Sequence, residues 1–245
     1  MREWQGKRYW LVGASEGLGR ALAHVMSRAG TELIVSARSE ERLADLVAEL
    51  PGRASYVTVD VRNSASVTDA AAEIGPLDGV VYLAGSYAPV SASAWDAARV
   101  EEICDINFTG CARVMGAVVP AMVARGEGHL VMCGSAAGPS GLPNSIGYGA
   151  AKAGVAALAR SMQQDLRSSG VEVQLFNAGL VRSAVPEGSG PMAPLLMDAE
   201  EAAQEMFEHM NTTYFSKSFP RGASWLLQGS RLLPDRAVWG FGRRG

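Results

Sequence analysis

Arg8-Tyr-Trp-Leu-Val-Gly-Ala-Ser-Glu-Gly-Leu-Gly19 is a short apolar run broken by a glycine-rich turn, and an apolar-periodic stretch from Arg20 to Ala29 follows it, closed by Gly30. The run predicts a strand that stops at Gly13, the periodicity a helix, and Gly30 the helix's C-terminal cap. A strand, a glycine turn and a helix N-terminus in succession make an anion site. Unpaired backbone N–H groups and the positive end of the helix dipole face one point there. Glycine is needed where a side chain would block the approach of a pyrophosphate. The spacing is GxxxGxG rather than GxGxxG, and such a turn can also be plain structure, so the rest of the chain has to decide.

Working outward, Glu32-Leu-Ile-Val-Ser36 predicts the next strand. In a nucleotide-binding βαβ unit the residue ending this strand sits beside the adenosine ribose. A carboxylate there suits a free 2′-hydroxyl and an arginine a 2′-phosphate. The positions read Ala37-Arg38-Ser39, with no acid before Glu40. Arg38, helped by Ser15 and Ser39, would make a charge-assisted contact with a phosphate, although it also reads as a solvated surface residue. A helix from Glu40 to Leu50 and a strand from Ala54 to Val59 then deliver Asp60-Val61. Asp60 can accept a hydrogen bond from an adenine amino group, or cap the next helix, which Ser64 and Ser66 also signal. After a helix from Val67 to Ile74, the apolar strand Asp78-Gly-Val-Val-Tyr-Leu-Ala-Gly85 ends in a small-residue turn. One long helix is predicted from Trp95 to Val119, with Asn107 at its centre between Ile106 and Phe108. An amide buried there must find partners.

The stretch Gly134 to Lys152 holds Ser135, Tyr148 and Lys152. If Tyr148 opens a helix, a spacing of four puts phenol and ammonium on one face, one turn apart. A nearby cation favours the phenolate and brings the group towards a useful acid/base range. Ser135 would supply a hydroxyl to hold a carbonyl oxygen. YxxxK alone is also a common accident of helix surfaces. The Tyr148 helix continues to about Leu166, and Val171 to Phe176 is the next strand, ending in Asn177-Ala-Gly-Leu-Val-Arg-Ser183. Strands and helices alternate throughout, which predicts an α/β fold: a doubly wound, Rossmann-type parallel sheet of about seven strands with helices on both faces. Ligands bind beyond the carboxyl ends of such strands, and every residue singled out lies at such an end or on the helix after one.

With 22 Lys and Arg against 25 Asp and Glu, the net charge of −3 gives no electrostatic reason to expect nucleic acid or an anionic membrane as partner. No linker or repeat divides the chain, so a single domain is expected over 1–245. No apolar run reaches the roughly 18 residues of a membrane span, and Met1-Arg-Glu-Trp-Gln-Gly is too polar to begin a signal peptide, so a soluble, cytoplasmic protein is expected. Cys104, Cys111 and Cys133 sit in apolar contexts at no metal-ligand spacing and read as reduced packing residues; no metal is expected.

Taken in order, Gly13, Gly17 and Gly19, Asp60, Ala84-Gly85, Asn107, Ser135, Tyr148 and Lys152, and Gly179 make the chain resemble a short-chain dehydrogenase/reductase over residues 5 to about 210. The resemblance implies hydride transfer between a nicotinamide and a carbonyl or secondary alcohol carbon. Arg38 favours NADP(H) over NAD(H). Tyr148 would be the general acid in reduction, with Ser135 positioning the oxygen. Lys152 would bind the nicotinamide ribose and lower the tyrosine pKa, and Asn107 would hold a water that links the proton relay to solvent. The implied cofactor contacts are Gly13, Ser15, Glu16, Gly17, Leu18, Gly19, Arg38, Asp60, Val61, Ala84, Gly85, Tyr148, Lys152, Gly179, Val181 and Ser183. A homodimer or homotetramer is implied through the helices around Trp95 to Val119 and Ala153 to Leu166.

The chain departs from the pattern at Leu83, where an asparagine is usual, and at Ala178, where a proline is; Ser183 replaces a threonine. With three prolines between Ala184 and Met197, residues 184–210 are the expected substrate lid, whose Met192, Leu195, Leu196 and Met197 hint at a partly apolar carbonyl or alcohol substrate. Asp198-Ala-Glu-Glu201 signals a helix to about Met210, and Tyr214 to Phe219 a last strand. The tail, 220–245, mixes Trp225, Leu226, Trp239 and Phe241 with Arg221, Arg231, Arg236, Arg243 and Arg244. Such a segment would cover the pocket, pack on a partner subunit or touch a membrane. Leu83, Ala178 and this tail keep open the alternative of a regulatory or structural protein that binds NADP(H) without chemistry.

Overall fold

The computed structural model describes residues 2–135, 143–181 and 196–220. Seven strands form one sheet: β1 (Arg8–Val12), β2 (Glu32–Ser36), β3 (Ala54–Tyr56), β4 (Gly79–Tyr82), β5 (Gly128–Ser135), β6 (Val171–Ala178) and β9 (Ser216–Phe219). Their order is β3-β2-β1-β4-β5-β6-β9 and every neighbouring pair is parallel. A separate two-stranded pair joins β7 (Leu180–Val181) to β8 (Leu196–Met197). Strands β1 to β3 step outward on one side and β4, β5, β6 and β9 on the other. The chain therefore reverses between β1 and β4, and a crevice opens at their carboxyl ends.

The helices are α1 (Gly17–Arg28), α2 (Glu40–Glu49), α3 (Ser64–Ile74), α4 (Ala97–Cys104), α5 (Gly110–Arg125), α6 (Ile146–Asp165) and α7 (Ala199–Met210). A parallel sheet covered on both sides needs apolar residues at odd and even positions alike. In β1, Tyr9 and Leu11 face one core, shared with Leu22 and Met26 of α1, Leu43 of α2 and Met206 of α7. Trp10 and Val12 face the other, shared with Val67 of α3, Val114 and Met122 of α5, and Val155 of α6.

Several expected boundaries move, each for a local reason. Helix α1 starts at Gly17, so the glycine turn supplies its first turn. Beyond Tyr56 the chain still runs beside β2, with Val57 N–H donating to Val35 O and Val59 N–H to Ala37 O, but it no longer forms a regular strand. Asn63, whose Oδ1 accepts from Ala65 and Ser66 N–H, caps α3, so Asp60 is free of that task. The helix expected from Trp95 to Val119 is α4, a π turn over Asp105–Thr109, and α5. Trp95 lies outside it and is 59% exposed. This 29-residue rod is long and apolar enough to cross a bilayer by composition. It is instead a core helix, with Ile103, Cys111, Val114, Met115, Val118 and Met122 buried.

Residues 199–210 of the expected lid form α7, with Ala202, Ala203, Met206 and Met210 fully buried. Ser183, the rest of the lid before β8, and the tail from 221 onward lie outside the described residues.

Candidate active site

The crevice at the carboxyl ends of β1, β4 and β5 is a cleft of about 510 Å³. Gly13, Ser15, Glu16, Gly17, Leu18, Gly19, Arg38, Asp60, Val61, Ala84, Gly85, Asn107, Tyr148, Lys152, Gly179 and Val181 all line it. Residues separated by up to 168 positions in sequence thus meet in one place. Ser135 stands just behind the wall, 4% exposed.

At the phosphate end the glycines are steric necessities. Gly13 has φ +92°, and a Cβ on it would lie 2.3 Å from the backbone nitrogen of Ala84; a Cβ on Gly19 would lie 2.0 Å from Gly13 O. Any larger residue would push β1, the turn and the end of β4 apart. The N-terminus of α1 therefore points into an open cradle that fits an anionic group.

Arg38 follows β2 by two residues and is exposed on the cleft's rim. Beside it stands Arg42, in the first turn of α2, which the strand-end reading missed; its spacing of four from Arg38 was the available signal. Arg42 Nη1 donates to Glu16 Oε2 at 2.7 Å across the mouth of the cradle. Asp60 is less available than its position suggests. The Arg62 guanidinium grips its carboxylate through Nε at 3.0 Å and Nη2 at 2.6 Å. These bonds hold Asp60 below the usual carboxylate range.

At the other end, Tyr148 and Lys152 occupy the first two turns of α6, as the spacing of four requires. Lys152 is 4% exposed, with Nζ donating to Cys133 O at 2.9 Å and lying 5.8 Å from the centre of the Tyr148 ring. Ser135 is hydrogen-bonded to the Tyr148 side chain. Burial raises the Tyr148 pKa, and Lys152 and Ser135 oppose that rise without cancelling it. The expected lowering by Lys152 is present, but the net shift is upward. Tyr87, another residue missed in the sequence, sets its ring edge-on against Tyr148, with centroids 5.2 Å apart and planes at 88°. The Tyr148 ring is thus held from two sides.

Asn107 sits in the π turn, fully buried. Its Nδ2 donates to Ser86 O at 2.7 Å and to Ile103 O at 2.8 Å. Oδ1 is buried without a partner among the described residues. A Cβ built on Gly85 would lie 3.0 Å from this oxygen and 3.9 Å from Lys152 Nζ, so both polar atoms face the same small volume. An acceptor left over in this position suits a bound water.

An anion cradle at a topological switch point, joined in one cleft to a phenol, a serine and a buried lysine, defines a dinucleotide-dependent oxidoreductase of the doubly wound class. The short chain dehydrogenase family pattern matches residues 7–192. An oxidoreductase of Myxococcus xanthus is 33% identical over 244 residues, covering 96% of each chain. Among solved structures, a short-chain dehydrogenase from Streptomyces avermitilis superposes with a TM-score of 0.84 at 25% identity, over 97% of this chain and 96% of that one. A short-chain dehydrogenase from Sphingobium yanoikuyae, solved with NADPH, gives 0.80 at 26% identity, over 92% and 94%. The chain belongs to the short-chain dehydrogenase/reductase family and is an NAD(P)-binding oxidoreductase.

Proposed function

We propose that the protein interconverts a carbonyl and a secondary alcohol with NADP(H), Tyr148 acting as general acid in reduction and general base in oxidation. The observation that carries this reading is the meeting of Tyr148, Ser135, Lys152 and Asn107 at one end of the cleft whose other end is the anion cradle.

A nicotinamide held in the cleft by the residues of the glycine turn, Ala84-Gly85 and Lys152 would supply the hydride for reduction, or accept it in oxidation. The chain's residues handle the proton. The Tyr148 hydroxyl gives its proton to the carbonyl oxygen, and the phenolate that results lies near the Lys152 ammonium, which stabilises it. Ser135, bonded to Tyr148, orients the hydroxyl and the incoming oxygen. A water on Asn107 Oδ1, beside Lys152 Nζ, reconnects the phenolate to solvent. Because burial raises the Tyr148 pKa, the phenol is protonated at neutral pH, the state that reduction needs.

The preference for NADP(H) rests on Arg38 and Arg42, two guanidinium groups at the ribose end of the cleft with no carboxylate at the end of β2. The NADPH-bound Sphingobium relative is consistent with it.

Tyr148→Phe tests the mechanism. Across a panel of ketones and alcohols it should lower turnover by about 10²–10⁴-fold while changing NADPH affinity, read by fluorescence titration, by no more than about tenfold. Full turnover without the phenol would remove Tyr148 from the reaction. NADPH binding by the wild type with no turnover of any panel member would favour a binding protein without chemistry.

A further inference from the structure

We propose that Tyr82 is a positioning residue whose buried hydroxyl fixes the π turn that aims Asn107 into the cleft. The inference rests on the catalytic reading above.

At Asp105–Thr109 the rod between α4 and α5 leaves the α-helical register: Gly110 N–H bonds to Asp105 O, five residues back, where an α-helix would use Ile106 O. The Ile106 carbonyl receives a hydrogen bond from outside the helix instead. Tyr82 Oη, reaching across the core from the end of β4, donates to it at 2.6 Å. Tyr82 is 1% exposed, so this bond is shielded from competing water. Burial pushes its pKa well above the ordinary phenol value, so it stays a donor throughout the working pH range.

Ile106 immediately precedes Asn107, so the bond acts on the peptide next to the relay residue. Asn107 Nδ2 is held by Ser86 O and Ile103 O, and the latter is the carbonyl an unbroken α-helix would pair with the Asn107 backbone N–H. The amide is thereby locked, with Oδ1 pointing towards Gly85 and Lys152. Without the Tyr82 bond, Ile106 O is a buried acceptor with an incentive to recapture the Gly110 N–H. That return to α register would rotate Asn107 about the helix axis. Gly110 completes the arrangement, because a Cβ there would lie 2.7 Å from Tyr82 Oη.

Tyr82→Phe removes the donor and keeps the ring, and the first readout needs no ligand. In hydrogen exchange of the purified protein, amides of 105–110 should exchange about tenfold faster, with those of β4 unchanged. The second readout is a double-mutant cycle with Asn107→Ala, using NADPH and the panel ketone that the wild type reduces fastest. Tyr82→Phe alone should lower kcat by about tenfold with the KM for NADPH within about twofold, and should have no further effect in the Asn107→Ala background. Unchanged exchange at 105–110, or an equal loss in both backgrounds, would overturn the proposal alone. Full turnover by Asn107→Ala would remove Asn107 from the relay and overturn the proposal together with that part of the mechanism. Should Tyr82→Phe fail to fold, Gly110→Ala displaces the same hydroxyl while retaining Tyr82; because its Cβ also meets Val61 at 2.9 Å, Val61→Ala is combined with it and serves as its reference, and the same outcomes decide.

Discussion

At Tyr148 two effects of opposite sign meet: burial disfavours the phenolate, while the Lys152 ammonium and the Ser135 hydroxyl favour it, and burial is the larger. Oxidation of an alcohol needs the phenolate, so its rate should rise with pH, and removing the cation should push the controlling pKa higher still. Lys152→Met is accordingly expected to move the rising limb of the kcat profile for oxidation to higher pH, with Lys152→Arg restoring part of the shift. A limb at the same pH in Lys152→Met would mean that another group controls it. At the ribose end, losing a charge-assisted bond costs about 1.5–3 kcal/mol, so Arg38→Ala should weaken NADPH binding by about 10–100-fold and leave NADH unaffected. Glu16 now occupies Arg42. Both groups are exposed and the pair is worth at most about 1 kcal/mol, so Glu16→Gln should tighten NADPH by no more than about fivefold. If NADH binding responds equally to either change, these arginines do not read the 2′-phosphate. Arg38 was legible because a strand end marks its place. Arg42 was not, because an arginine in a helix's first turn has no distinguishing sequence context.

Among the elements, the glycine turn could be read from the chain because most of its constraint is local: Gly13 and Gly17 take positive φ, and Gly19 is needed by Gly13 O, six residues back. Gly19→Ala puts a methyl group 2.0 Å from Gly13 O, and α1 can respond only by withdrawing its N-terminus from the cradle. NADPH and NADH should therefore both lose binding in a fluorescence titration, unlike the selective loss in Arg38→Ala. Retained binding of either would place the dinucleotide elsewhere. The π turn was not legible. Its residues, Asp-Ile-Asn-Phe-Thr, have no composition that forbids α-helix, and apolar periodicity on both sides supports a single helix from end to end. The bond that accompanies the change of register comes from Tyr82, 24 residues away in sequence. Only the oddity of a polar Asn107 among apolar neighbours was visible beforehand. Helix α7 was legible from Asp198-Ala-Glu-Glu201, but its burial against α1 is a long-range contact that sequence proximity to a lid does not disclose.

Across the whole molecule the cleft occupies one end of the sheet, and the opposite end is tied by a buried polar network. Gln174 Nε2 donates to the carbonyls of His209, Thr212 and Tyr214, which leaves its Oε1 to accept from His129 Nε2 at 2.9 Å. His129 Nδ1 is then the acceptor for Tyr9 Oη, also at 2.9 Å. This chain of bonds joins β1, β5, β6 and the segment after α7, and it requires a neutral imidazole. Burial lowers the His129 pKa to about 3, and the nearby Arg2 charge acts in the same direction. The unfolded chain titrates near the ordinary value of about 6.5, so below that pH the unfolded state binds a proton that the folded state refuses. Stability from this group is complete above about pH 6.5 and declines steadily as pH falls towards 3. By pH 5 the loss is about 2 kcal/mol, a large fraction of the margin of a typical domain. Urea titrations at pH 7.5 and 5.0 should show this loss in the wild type. His129→Gln, which cannot titrate, should be less stable at pH 7.5 yet lose distinctly less between the two pH values. An equal loss in the variant would assign the acid sensitivity to other groups, with His209, lowered to about 4 by burial at the end of α7, next to be substituted.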